Sequence, residues 1–73
     1  MADIKIKSEV AGRVFSIPAA LGASLASGDT ILLIEVMKME IPVTATLGGK
    51  LKSLLVKVDD VVAEEQVVAI IEG

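Results

Sequence analysis

The chain repeats itself. Sliding its 73 residues by 37 positions lays residues 12–35 on 49–72 without a gap. Gly12/Gly49, Ser16/Ser53, Ala26/Ala63, Ile34/Ile71 and Glu35/Glu72 are identical. Arg13/Lys50, Val14/Leu51, Ile17/Leu54, Leu25/Val62 and Ile31/Val68 are similar. Two like units, each with one apolar face, bury those faces by covering one another. The repeat therefore predicts a single domain over residues 1–73, with pseudo-two-fold symmetry and one shared core.

Each unit reads as β. The apolar runs are short and β-branched, at 4–6, 14–17, 31–36, 41–43, 51–58 and 67–71. Gly12, Pro18, Gly22, Gly28, Pro42, Gly48-Gly49 and Asp59-Asp60 punctuate them. Strands are expected near 3–7, 12–17, 24–26, 30–36, 39–45, 49–56, 61–62 and 67–72, forming a flattened antiparallel barrel of two four-stranded sheets. The Ala- and Leu-rich stretch 19–27 has helical propensity, but Pro18, Gly22 and Gly28 oppose a helix there. Val14, Ile17, Leu25, Ile31, Ile34, Val43, Leu51, Leu54, Val62, Val68 and Ile71 are the expected core. The termini should meet, away from residue 38.

Composition removes most chemistry. The chain is 53% apolar, too hydrophobic for disorder, with Phe15 as its one aromatic residue. It has no cysteine and no histidine, which excludes disulfides and thiolate or imidazole metal sites. Its acidic residues form no calcium-loop pattern. Without His, Cys or Tyr the usual acid–base and nucleophile arrangements cannot be built. No glycine pattern cradles phosphate. We therefore expect no catalytic residue, no metal, and no reaction performed by the chain alone.

The net charge of −3, the scattered basic residues and the lack of Tyr or Trp speak against nucleic acid. The longest uncharged stretch, 14–28, contains Ser, Gly and Pro and is shorter than the roughly 20 residues of a membrane helix. The N-terminus lacks a signal-peptide pattern. A monomeric cytoplasmic protein with no membrane association is the expectation.

Between the repeats lies 36–48, which has no counterpart in that alignment. It opens with Val36-Met37-Lys38-Met39-Glu40, read as a hairpin over 36–41 with Met37-Lys38 as its two-residue loop. Such loops demand positive φ and favour Asn or Gly, so Met-Lys breaks the local rule. Rule-breaking turns are candidates for function. The ordinary reading is a solvated lysine beside core methionines. A hairpin tip has no core, however, and an exposed methionine offers a soft, adaptable contact. Glu35 and Glu40 should face each other one pair below Val36 and Met39, a like-charge pairing with a small cost.

Residues 34–41, Ile-Glu-Val-Met-Lys-Met-Glu-Ile, resemble the attachment sequence of the biotinyl (biotin carboxyl carrier) domain family, Glu-Ala-Met-Lys-Met. The resemblance spans nearly the whole chain: 8–12 falls at the family's Ser-Pro-Met-x-Gly, Gly22 and Gly28 at its turn glycines, and Val43, Ala45 and Gly49 match downstream. Val36 stands where alanine is commonest, and Glu9 and Thr46 where prolines are frequent. Asp59 and Glu65 replace turn glycines. Asp tolerates left-handed geometry better than Glu, so a strained or altered turn is expected near 65.

The resemblance implies a carrier rather than an enzyme. Biotin protein ligase would join biotin to Lys38 with consumption of ATP, and Glu35, Val36, Met37, Met39 and Glu40 would serve recognition. The loaded arm would move carboxyl groups from a biotin carboxylase to a carboxyltransferase, as in an acyl-CoA carboxylase such as the acetyl-CoA carboxylase of fatty acid biosynthesis. No linker or protruding insertion is evident, so a free-standing carrier and an excised domain both fit. The rivals are a lipoyl carrier of an oxo-acid dehydrogenase or glycine-cleavage system, with lipoate on the lysine, and an unmodified binding module of the same fold.

Overall fold

The computed structural model describes residues 2–73. Eight strands follow one another: β1 (Asp3–Lys7), β2 (Gly12–Ser16), β3 (Ser24–Leu25), β4 (Thr30–Val36), β5 (Met39–Thr44), β6 (Gly49–Leu54), β7 (Val61–Val62) and β8 (Val67–Glu72). They pair antiparallel into two four-stranded sheets, ordered β1-β8-β6-β3 and β5-β4-β2-β7. The stretch that invited a helix is a turn followed by β3, and no helix occurs among the described residues.

The symmetry is more complete than the sequence alignment reveals. Shifting by 37 residues carries β1 onto β5, β2 onto β6, β3 onto β7 and β4 onto β8. The expectation that 36–48 lacks a counterpart is corrected: β5 matches β1, with Ile4/Ile41 and Ile6/Val43 in equivalent places. The register confirms the equivalence. Val14 faces Ile34 and Leu51 faces Ile71, followed by bulges at Val14/Ser16 and Leu51/Ser53. Only the turn at Met37-Lys38 is left without an equivalent. At the corresponding place in the other sheet the chain ends meet, Gly73 N donating to Ala2 O at 3.1 Å.

The core fills the space between the sheets. Val14, Ile31, Ile34, Val43, Leu51, Val62, Val68 and Ile71 are buried as expected. Ile17, Leu25 and Leu54 instead lie half-buried at its margin. Ile6, Leu32, Ala45, Val56 and Ala69 are core residues that strand alternation alone did not select. For Leu32 and Ala69 the reason is local. Bulges opposite β5 and β1 turn two consecutive residues of β4 and of β8 inward, Ile31-Leu32 and Val68-Ala69.

Paired glycines set the approach of neighbouring strands. A Cβ on Gly12 would lie 2.5 Å from the Glu35 carbonyl oxygen, and one on Gly49 would lie 2.5 Å from that of Glu72. Neither strand could sit so close with any other residue. The turns are paired too. Gly28 (φ 91°) and Glu65 (φ 71°) occupy equivalent left-handed positions, as do Gly22 (φ 84°) and Asp59 (φ 77°). The turn at Glu65 is strained but not altered. Its N–H donates to Ser8 O at 2.7 Å, as Gly28 N–H does to Ala45 O at 2.8 Å. The neighbouring amide at Ala63 is capped by Gln66 Oε1 at 2.9 Å, just as Ala26 is capped by Asp29 Oδ2.

Candidate functional site: the Lys38 hairpin

The longest strand pair in the molecule ends at the site. β4 and β5 are joined by Met37-Lys38, with Val36 opposite Met39 and Glu35 opposite Glu40. Both loop residues have positive φ, 50° at Met37 and 68° at Lys38. This is the primed two-residue turn whose twist matches that of the strands. Neither residue is Gly, Asn or Asp, so each carries a conformational penalty of order 1 kcal/mol. The expected conflict between turn type and residue type is therefore present.

Exposure places the methionines outside the core. Met37 is 91% and Met39 62% exposed, while Val36 on the same hairpin packs against the buried cluster. The hairpin is thus pinned by Val36 at its base and presents two thioethers at its tip. Lys38 is exposed between them and forms no ion pair with any described residue. Its amine is free to meet another molecule.

The charges below the tip are arranged. Arg13 lies opposite Glu35 on β2, and its Nη2 donates to Glu35 Oε1 at 2.6 Å. Its Nη1 reaches Asp59, the left-handed residue of the turn before β7. The Arg13 guanidinium is held above its ordinary pKa, first by Glu35 and then by Asp59. One cation therefore offsets the Glu35–Glu40 repulsion and ties the hairpin strand to a distant turn. Arg13 was not singled out from sequence, because its place opposite Glu35 is set by the β2–β4 register. Gly12 completes the support, since a Cβ there would also crowd Ile34 and Val36 at 2.7 and 2.9 Å.

Among the described residues no group of three or more His, Cys, Asp or Glu side chains is placed to hold a metal. Lys38 meets the requirements of a covalent attachment point: an exposed primary amine, on a long stem, on a paired hairpin whose base is packed by Val36.

Comparison with known proteins identifies the family of the chain. The family model described as "Biotin-requiring enzyme" matches residues 7–71. A biotinylated protein TB7.3 homolog of Mycobacterium leprae (strain TN) is 33% identical over 66 residues, covering 90% of this chain and 93% of that protein. The urea carboxylase of Kluyveromyces lactis contains a similar structure, with TM-score 0.93 and 36% identity over 99% of this chain. The match spans 6% of that carboxylase. The lipoyl domain of the 2-oxoglutarate dehydrogenase complex of Azotobacter vinelandii shares the fold at TM-score 0.73 and 19% identity, covering 100% of this chain and 98% of that one. The chain is thus a member of the biotin/lipoyl attachment family, a carrier domain rather than a catalytic enzyme.

Proposed function

We propose that Lys38 is the attachment point for biotin and that the chain is a carboxyl carrier serving a biotin carboxylase and a carboxyltransferase. One observation carries the reading: the exposed Lys38 sits between Met37 and Met39 on the one turn of the fold that lacks a symmetry mate.

The acylating enzyme on this reading is a biotin protein ligase, using ATP. A C–N bond forms between Nζ and the biotin carboxyl carbon, Nζ gives up a proton, and the ATP-derived leaving group departs with its bonding pair. The amide removes the lysine charge from the tip. When bound, biotin supplies a nitrogen that accepts and releases a carboxyl group. The chain contributes the rest. Val36 and Gly12 hold the hairpin rigid, Arg13 keeps Glu35 in place, and the lysine stem provides reach. Tethering raises the effective concentration of the arm at each partner site. Glu35, Val36, Met37, Met39 and Glu40 are the recognition surface on this reading, and the cytoplasm the working compartment.

Intact mass after co-expression with a biotin protein ligase, followed by peptide mapping, tests the proposal. A biotinyl increment on Lys38 is expected. A lipoyl increment, or an unmodified chain beside a fully biotinylated control carrier, overturns it.

A further inference from the structure

The pseudo-two-fold allows each sheet to act as the control for the other. On the outer face of the sheet β1-β8-β6-β3, Ile70 lies between Lys5 on β1 and Ser53 on β6, with the exposed bulge residue Lys52 beside Ser53. Lys52 is in turn bound to Asp3 at 2.8 Å. Flanking lysines of this kind cover apolar surface with their stems and keep other proteins away. In the hairpin sheet the equivalent of Ile70 is Leu33, paired with Pro42 on β5 and with Ser16 beside Phe15 on β2. Pro42 stands where the other sheet has Lys5, and Phe15 where it has Lys52. Val61, 80% exposed, stands where the other has Ser24. Phe15, the only aromatic residue, is 41% exposed.

Three matched positions thus exchange lysine or serine for an apolar side chain, all on the sheet that ends in Lys38. The charges differ as well. Around the apolar band, Arg13 pairs with Glu35 and Asp59, and Glu40 lies across β4 and β5 from Glu35, so one cation stands among three carboxylates. On the opposite sheet Lys5, Lys50 and Lys52 outnumber Asp3 and Glu72.

We propose that this outer face, centred on Leu33, Phe15 and Val61, is a docking surface for the enzyme that acylates Lys38, and that this enzyme meets it with an apolar patch rimmed by basic residues. The inference rests on the carrier reading of Lys38. A lysine stem is short beside the length of β4, so an enzyme reaching Nζ must close over the hairpin itself. The row Glu40-Glu35-Arg13-Val61 begins two residues below the turn, about 7 Å at the strand rise. An enzyme footprint of ordinary size extends that far. A second copy is a poor occupant, because face-to-face pairing would set acid against acid.

The test compares biotinylation of the parent with two variants, F15K/V61S and the single V61K, by a biotin protein ligase. Initial rates are read by intact mass across carrier concentrations. Binding of the same ligase to K38R versions is measured alongside, which reports docking without acylation. Thermal midpoints establish folding, and V61K keeps the test open if F15K/V61S does not fold. On the opposite sheet, K5S/K50S is the control.

The expected result is a loss of about tenfold or more in kcat/KM and in affinity for the hairpin-face variants, carried by KM, with the control unchanged. Parent activity should also fall as salt rises. Equal rates and affinities in parent and variants overturn the docking face and leave the carrier reading intact. So does a parent that dimerises through Phe15 while the ligase is indifferent to it. A parent that the ligase never modifies overturns the carrier reading itself.

Discussion

Arg13 holds Glu35 at 2.6 Å across the β2–β4 pair, three residues before Lys38, and the same guanidinium grips Asp59 on another turn. The clamp lets two glutamates stand opposite one another beneath the hairpin tip. Replacing Arg13 with methionine keeps the stem and removes the charge. The expected result is a thermal midpoint lowered by a few degrees at low salt, with the difference shrinking at about 1 M salt, where screening is nearly complete. A deficit that does not change with salt would show that the stem, not the charge, matters.

Gly12 and Gly49 predict matched effects. Alanine at either position forces its Cβ against a backbone carbonyl on a paired or facing strand. Each substitution should cost about 1–3 kcal/mol or more in urea unfolding. The two values should agree closely, because their surroundings are symmetry copies. Gly12→Ala should additionally slow modification of Lys38, since it displaces Glu35 and Val36, whereas Gly49→Ala should not.

The left-handed non-glycine residues separate strain from compensation. Glu65→Gly relieves a backbone penalty of order 1 kcal/mol and breaks no ion pair among the described residues, so a gain in stability is expected. Asp59→Gly relieves a similar penalty but removes a partner of Arg13, so the gain should be smaller or absent. Chemical denaturation of the two single variants decides it.

At the tip, Met37→Asn places a residue tolerant of positive φ in the first loop position. The hairpin should become more stable, by some tenths of a kcal/mol, while modification of Lys38 becomes slower. Lys38→Ala should leave the thermal midpoint nearly unchanged and eliminate modification. Lys38→Arg should also stay unmodified, since a guanidinium remains protonated. By contrast, Ile34→Ala or Leu51→Ala should cost about 2–5 kcal/mol, as both side chains are fully enclosed.

Lys52 carries the pH prediction. Its hydrogen bond to Asp3, and then the charge of Asp3, raise its pKa above 10.5. A folded-state pKa above the unfolded one contributes stability that is complete below the unfolded value and disappears as pH rises through the raised one. With no histidine in the chain, stability should be flat between about pH 6 and 9 and decline on the alkaline side. Lys52→Met should remove part of that alkaline decline.

Much of this was readable in the chain before folding. The 37-residue repeat, the β-branched runs and the glycine spacing sufficed for two sheets around one core, because burial and turn chemistry are local properties of residue type. The Met37-Lys38 loop was legible for the same reason: turn types demand particular residues, and the demand was visibly unmet. What needed the tertiary structure was everything that depends on a partner far along the chain. The match of β5 to β1 was hidden, because only alternating Ile4/Ile41 and Ile6/Val43 preserve it. The inward placement of Leu32 and Ala69 required bulges set by neighbouring strands. The grip of Arg13 on Glu35 and Asp59 joins residues 22 and 46 positions apart, and no periodicity along one strand encodes such a contact. The contrast between the two outer faces arises in the same way, since a lysine and a phenylalanine can be compared only after the fold sets them in equivalent places.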